Sequence, residues 1–256
     1  MASRSEMKLW RSLLRSKGRA ERGLFLVEGP RVVLELAEAD VTTAALLHVE
    51  PTTGALRALV DAYGGREVPC HELSASQLAS VSDTATPQGI VAVAHIPTRT
   101  WDDLRGGDLL VLDRVQDPGN VGTLIRAAEG FGMAGVILLP GTADAWGPKV
   151  TRAAAGSTLR LPVLSASWEE ARGRLARGAF EVWVADARGE PLSRSRTTRG
   201  RVGLVLGNEG AGVSELVLRE ARRRVCVPLG PPVDSLNVGV AGAILMDRLR
   251  ESSDDG

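Results

Sequence analysis

Residues 109–129 read LLVLDRVQDPGNVGTLIRAAE, and this stretch decides the class of fold. Leu109–Leu112 is a short apolar run with the look of a buried strand. Asp117-Pro118-Gly119-Asn120-Val121-Gly122 breaks it, and a segment that can be read as a helix follows. The same succession occurs twice more. Val202–Leu206 runs into Leu206-Gly207-Asn208-Glu209-Gly210-Ala211-Gly212, and Val225–Val227 runs into Pro228–Val238 with its Ser235-Leu236-Asn237. In open α/β sheets, ligands bind in the crevice outside the carboxyl ends of the strands. Three such loops, none with a metal-ligand cluster, point to a site built largely of backbone groups for an organic ligand.

Outward from these loops, the α/β alternation holds from residue 108 to about residue 250. Strands are predicted at Leu109–Leu112, Val136–Leu139, Leu161–Leu164, Glu181–Ala185, Val202–Leu206 and Val225–Val227, with helices between them. Ser167-Trp168-Glu169-Glu170 has the form of a capping box, and Gly178 stands past the end of its helix. Such alternation argues for a parallel, Rossmann-like sheet covered on both faces. Residues 1–95 read as a separate small α/β domain. It opens with a basic helix and has strands at Leu24–Glu28, Ala44–Val49, Glu67–Leu73 and Ile90–Ala94. Residues 96–107 read as a linker, and residues 251–256 as a disordered tail.

The 256 residues are enough for one large or two ordinary domains, and 44% hydrophobic with 24% charged is ordinary for a globular protein. Net charge is +0, so any nucleic-acid footprint must be local. One local footprint exists: Arg4, Lys8, Arg11, Arg15, Lys17, Arg19 and Arg22 crowd the first segment against only Glu6 and Glu21. It reads either as a solvated amphipathic helix or as a phosphate-contacting one. No apolar run approaches the ~20 residues of a membrane span. No signal-peptide core is seen, and Cys70 and Cys226 read as two free, buried thiols of a cytoplasmic protein. His48, His71 and His95 lie outside every loop above, and no zinc spacing, P-loop or Ser-His arrangement is found. Gly207–Gly212 does not meet the G-x-G-x-x-G spacing of a dinucleotide oxidoreductase.

The run Leu112–Ala128, the run Gly207-Asn208-Glu209-Gly210, and Ser235-Leu236-Asn237-Val238 with its helix stand in an informative order. Together they resemble the signatures of the SpoU (TrmH-like) RNA 2′-O-ribose methyltransferases of the SPOUT superfamily, over about residues 108–250. Phe25–Arg31 and Thr86–Ala92 resemble the L30e-like substrate-binding domain that precedes many such catalytic domains. The resemblance implies a deep trefoil knot, which general topology rules would exclude. It implies S-adenosylmethionine as cofactor, held by Leu206, Gly207, Asn208, Gly210, Val227, Pro228, Leu229 and Leu236. It implies Asn120, Arg126, Glu209, Ser235 and Asn237 as the catalytic set, with Arg126 acting at the ribose hydroxyl. RNA contact falls to Arg11, Arg15, Lys17, Arg19 and Arg22, and to Lys149 and Arg152, which can equally be read as part of an ordinary solvated helix, Pro148–Ala155. Gly239 departs from the family, which often has serine there.

A homodimer is implied through the last helix, where Ala241, Ile244, Leu245 and Leu249 form an apolar stripe. No membrane or metal partner is expected. The expected substrate is structured RNA, with 23S ribosomal RNA preferred over tRNA because of the two-domain layout. A tRNA methyltransferase and an antibiotic-resistance rRNA methyltransferase are alternatives. A non-catalytic RNA-binding protein on the same scaffold is the alternative of a different class.

Overall fold

The computed structural model describes residues 2–39, 41–51, 53–192 and 200–250. In chain order the first elements are α1 (Arg4–Ser12), α2 (Ser16–Arg22), β1 (Leu24–Glu28), α3 (Pro30–Glu38), β2 (Thr43–His48), α4 (Gly54–Gly64), β3 (Cys70–Glu72), α5 (Ala75–Ala79) and β4 (Ile90–His95). A 3₁₀ turn at Trp101–Asp103 leads to β5 (Leu109–Asp113), α6 (Pro118–Gly130), β6 (Gly135–Leu138), α7 (Pro148–Ala154), α8 (Ser157–Arg160) and β7 (Val163–Ser165). The rest is α9 (Trp168–Arg177), β8 (Phe180–Pro191), β9 (Arg201–Gly207), α10 (Glu215–Leu218), β10 (Arg223–Cys226) and α11 (Val238–Arg250). The chain divides into two compact units: Met1–Thr98 with Asp144–Arg160, and Arg99–Ala143 with Leu161–Gly256.

The first unit has a four-stranded sheet in the order β1-β4-β2-β3, with β4 antiparallel to β1 and β2, and β3 parallel to β2. Alternate residues feed its two faces, as strand geometry requires. Phe25, Val27, Ile90 and Ala92 pack with Leu36 and Tyr63 on one side. Leu26, Val91 and Val93 pack with Met7, Trp10 and Leu13 on the other. The basic N-terminal segment is two helices rather than the single one expected. Gly18 explains how closely they pack, since a Cβ there would lie 2.1 Å from the Ser12 carbonyl oxygen. Only glycine permits that approach.

Asp144–Arg160, which the sequence places inside the 108–250 region, packs with this first unit. α7 lies against β1, Leu159 joins the Phe25–Val27 core, and Trp146 meets Phe25 edge-on at 4.9 Å. Ion pairs reinforce the packing: Arg19–Asp144 at 2.5 Å, Arg152–Asp83 at 2.8 Å and Arg160–Glu35 at 2.8 Å. Removing one partner of the buried Arg19 pair would cost on the order of 3–5 kcal/mol.

The second unit is a six-stranded, all-parallel sheet in the order β10-β8-β9-β5-β6-β7. Every residue of β5 is buried, which is why its sequence shows an unbroken apolar run. The chain leaves β5 for β6 on one side and later returns as β9 on the other, so loops after β5 and β9 meet at a topological switch point. β8 continues to Pro191, well beyond the predicted end at Ala185, and pairs with β10 through a register shift at Arg224/Val225. α11 lies on α6 and β9 so closely that a Cβ on Gly242 would fall 2.4 Å from Leu124 and 2.5 Å from Leu206.

The expected apolar stripe on α11 is therefore largely internal. Leu245 and Leu249 are each 1% exposed within their own protomer, beside buried Gly242 and Met246. Ser167 caps α9 by accepting the Glu170 N–H at 3.2 Å, but the predicted reciprocal bond is absent among the described residues, because the Glu170 carboxylate accepts Trp101 Nε1–H at 2.8 Å. Among the described residues no helix is long and apolar enough to cross a membrane. The expected tail, 251–256, lies outside them.

Candidate cofactor cavity and active site

The carboxyl ends of β9 and β10, with the middle of β8 at Ala185–Ala187, open into a cavity of about 690 Å³ within the second unit. Its walls include Leu206, Gly207, Asn208, Val227, Pro228, Leu229 and Leu236 from the expected cofactor set, and Glu209, Ser235 and Asn237 from the expected catalytic set. Gly210 is not in the wall. Its N–H instead donates to Asn208 Oδ1 at 3.0 Å and helps close the loop.

The loop after β9 is fixed by backbone. Asn208 and Gly212 exchange N–H···O bonds of 3.1 and 2.9 Å, and Asn208 Nδ2 donates to the Arg114 carbonyl at 3.0 Å. Gly207 packs so tightly beneath this bridge that a Cβ would sit 2.3 Å from Gly212 C and Val213 N. Asp113, which sequence reasoning passed over, is buried and accepts the Ser214 N–H at 2.6 Å, tying the end of β5 to the far side of the loop.

The stretch Asp117–Gly122 is a helix start, not a free loop. Asp117 is the N-cap of α6, its Oδ1 accepts the Asn120 N–H at 2.8 Å, and Pro118 opens the first turn. This sets the Asn120 amide at the rim of the cavity. Its Nδ2 donates to Glu209 Oε1 at 3.0 Å, and its Oδ1 accepts Asn237 Nδ2–H at 2.9 Å. Asn237 Oδ1 in turn accepts the Gly239 N–H at 2.9 Å and caps α11. One continuous chain of hydrogen bonds thus joins all three signature segments. Burial would push the Glu209 carboxyl up, but the bonds from Asn120 and from backbone N–H groups at Glu209, Gln116 and Asp117 outweigh it, and its pKa lies below the ordinary carboxylate value.

The SpoU rRNA Methylase family model matches residues 108–247, and that of the MRM3-like substrate binding domain matches residues 4–92. The chain belongs to the SpoU rRNA methylase family. The 23S rRNA (guanosine(2553)-2′-O)-methyltransferase RlmP of Bacillus subtilis is 35% identical over 250 residues, covering 97% of each chain. Among solved structures, an RNA methyltransferase of the TrmH family from Porphyromonas gingivalis superposes with a TM-score of 0.83 at 33% identity, covering 97% of this chain and 98% of that one. An AdoMet-bound rRNA methyltransferase from Sinorhizobium meliloti superposes with a TM-score of 0.85 at 25% identity, covering 98% and 96%.

As a SpoU cavity this one fits S-adenosylmethionine. Its volume is in the range of small-ligand sites. Leu229 and Leu236 offer apolar surface for an adenine face above the fully buried Leu206, and β10 ends at Cys226, so Val227–Leu229 lie beyond the strand. Asp186 and Asp234, both missed in the sequence, also line the wall; Asp186 pairs with Arg188 at 3.6 Å and Arg224 at 3.7 Å, and Asp234 adds a carboxylate suited to a ligand bearing sulfonium and ammonium groups. Asp186 follows the predicted strand end at Ala185, whereas β8 continues through it to Pro191. Cys226 also lines the cavity, half-buried, with its Sγ–H donating to the Gly189 carbonyl at 3.2 Å, and Cys70 is exposed. The expectation of two buried thiols is corrected on both counts.

Arg126 stands elsewhere. It lies two turns into α6, exposed, outside the cavity wall and without a hydrogen bond or ion pair among the described residues. The helix starts at Pro118, so Arg126 is carried ~12 Å along the axis, away from the strand end where the sequence reading had put it.

Of the expected RNA-contacting residues, Arg11, Arg15, Lys17, Arg22 and Lys149 are exposed on the first unit. Two are corrected. Arg19 is 5% exposed and donates to the Leu13 carbonyl and the Asp144 carboxylate, because α2 folds it inward. Arg152 is half-buried and bonded to Glu28 and Asp83.

Proposed function

We propose that this protein transfers a methyl group from S-adenosylmethionine to a ribose 2′-oxygen in ribosomal RNA of the large subunit. The observation that carries the reading is the Asn237–Asn120–Glu209 chain at the rim of a cofactor-sized cavity. The activity of the Bacillus subtilis relative, 2′-O-methylation of 23S rRNA, supports the RNA class. When bound, S-adenosylmethionine supplies an electrophilic methyl group on a sulfonium centre. Leu206, Leu229, Leu236 and the backbone of Gly207, Val227 and Pro228 hold it; Asn208 and Gly210 shape the loop that does so.

Glu209, with its lowered pKa, stays a carboxylate and is a weak base toward a hydroxyl; its role is electrostatic, opposite positive charge. Asn120 and Asn237 fix its position, and Ser235 offers a hydroxyl to the substrate from the same wall. Arg126 orients the ribose by gripping a neighbouring phosphate, because a guanidinium with a pKa above ~12 does not accept a proton readily. Alignment of hydroxyl and methyl alone can lower the barrier by several kcal/mol. As the O–CH₃ bond forms, the S–CH₃ bond would break to leave the neutral thioether, and the hydroxyl proton would pass to solvent water.

A homodimer completes this reading. Arg126 does not line the cavity of its own protomer, and half-exposed Val240 and partly exposed Ile244 on α11 offer a surface for a second copy. The trefoil knot belongs to the same reading, supported by the strand order β10-β8-β9-β5-β6-β7 and the return of α11 to the sheet centre. So do cytoplasmic location and RNA contact by Arg11, Arg15, Lys17, Arg22 and Lys149.

Incubation of unmodified ribosomal RNA with the protein and tritiated S-adenosylmethionine tests the proposal. The product is a 2′-O-methylnucleotide that resists alkaline cleavage, and a DNA analogue is inert because it lacks the nucleophile. A methyl group on a base, or no transfer at all, refutes it.

A further inference from the structure

At the opposite end of the parallel sheet, where β5, β8 and β9 begin, the second unit has another cavity, of about 400 Å³. Leu109, Phe180 and Arg201, the first residues of those strands, lie in its wall. Four arginines converge on it: Arg105 from the segment before β5, Arg174 and Arg177 from the last turn of α9, and Arg201 from β9. Two aromatic rings hold two of them in place. Arg174 lies over Trp101 at 5.7 Å, and Arg201 over Phe180 at 4.4 Å.

Little negative charge answers this. Asp102 pairs with Arg105 at 2.6 Å, and Glu170 is turned aside to Trp101 Nε1. Arg201 donates to the Gly178 carbonyl, and no carboxylate pairs with Arg174, Arg177 or Arg201 among the described residues. The negative end of α9 accounts for Arg174 and Arg177 in part. It does not account for Arg201 arriving from a strand, or for the aromatic faces. A guanidinium stacked on a ring keeps N–H donors along its edge, for Arg201 those beyond the one given to Gly178, and that edge matches phosphate oxygens.

We propose that this cavity is a second RNA-contact site, in which Arg174, Arg177 and Arg201 take phosphates of the RNA backbone at the end of the sheet remote from methyl transfer. The inference rests on the reading of the chain as an RNA-modifying enzyme. β9 spans the two sites from Arg201 to Gly207, ~20 Å at ~3.3 Å per residue, a distance a folded RNA bridges easily. Nothing in the sequence pattern marks the site, because its arginines come from three separate segments, at Arg105, at Arg174 with Arg177, and at Arg201.

The test uses the full chain with two double variants, Arg174→Ala/Arg177→Ala and Arg174→Lys/Arg177→Lys. RNA affinity is measured across a salt series, cofactor affinity by calorimetry, and KM and kcat with ribosomal RNA. The alanine pair raises KM at unchanged kcat, leaves cofactor affinity unchanged, and makes the log affinity–log salt slope shallower by about 1.4–1.8, for two lost phosphate contacts. The lysine pair keeps the wild-type slope, since the charge remains. A wild-type slope in the alanine pair overturns the proposal, as does an equal loss in the lysine pair. Pyrophosphate serves as the free-anion probe: if it binds the wild type and not the alanine pair while RNA affinity is the same in both, the cavity serves a free phosphate ligand and the RNA assignment falls. Methyl transfer by the wild type with no effect of either pair leaves the function standing without this site; no transfer by the wild type removes the function itself.

Discussion

Gly207→Ala tests whether the cofactor cavity depends on the close packing beneath the β9 loop. The added methyl group would lie 2.3 Å from Gly212 C and Val213 N and 2.5 Å from Gly212 O. These are backbone atoms, so no side-chain rotation relieves the overlap; the loop has to lift. Lifting it breaks the paired bonds between Asn208 and Gly212, 3.1 and 2.9 Å long. Two backbone hydrogen bonds at ~0.5–1.5 kcal/mol each give a penalty of about 1–3 kcal/mol. Gly207, Asn208, Glu209 and Gly212 all line the cavity, so this penalty appears in cofactor binding. Calorimetry with S-adenosylmethionine should then show a dissociation constant raised ~5- to 150-fold, at 1.4 kcal/mol per tenfold. Gly210→Ala is the control, because a Cβ there meets nothing nearer than Asn208 Oδ1 at 3.7 Å. A wild-type constant for Gly207→Ala, or equal damage from Gly210→Ala, refutes the reasoning.

Arg126→Ala should abolish methyl transfer with cofactor affinity unchanged, and lysine should rescue poorly because it lacks the planar fork; wild-type turnover in a tritium-transfer assay contradicts the role. Glu209 has a pKa below its unfolded value, so its charge stabilises the fold above the ordinary carboxylate pKa, and that contribution is lost as pH falls through the lowered one. The difference in melting temperature between wild type and Glu209→Gln should therefore shrink toward zero on acidification, and a constant difference down to pH 2 excludes the ionic contribution. A chain beginning near residue 100 should melt earlier and aggregate, because Asp144–Arg160 loses its packing in the first unit; a cooperative, wild-type-like melt contradicts this. Light scattering should give twice the monomer mass, whereas a concentration-independent monomer removes the dimer.

Much of the catalytic unit was legible because local chemistry dictates it. A buried parallel strand must be apolar throughout, so Leu109–Leu112 and Val202–Leu206 stood out, and the glycine- and asparagine-rich breaks after them marked the ligand-binding end of the sheet. Positive φ and close approach restrict residue choice strongly, and that restriction is visible one residue at a time. The N-cap at Asp117 was less legible, because Asp-Pro-Gly-Asn serves turns and helix starts equally well.

Charge was the least legible property. Arg19 and Arg22 are three apart in one basic run, yet Arg19 is buried against Asp144, 125 positions away, and Arg22 is exposed. The sequence by itself determined the family, the parallel sheet and the loops that meet at its carboxyl end, because backbone conformation and burial constrain neighbouring residues directly. Only the tertiary structure decided that Asn120 bridges Glu209 and Asn237, that Asp144–Arg160 packs with the first unit, that Leu245 and Leu249 face inward, and that four arginines meet at the far end of the sheet. Each depends on where a side chain far away in sequence comes to rest, and a hydrogen bond or ion pair forms only at that meeting.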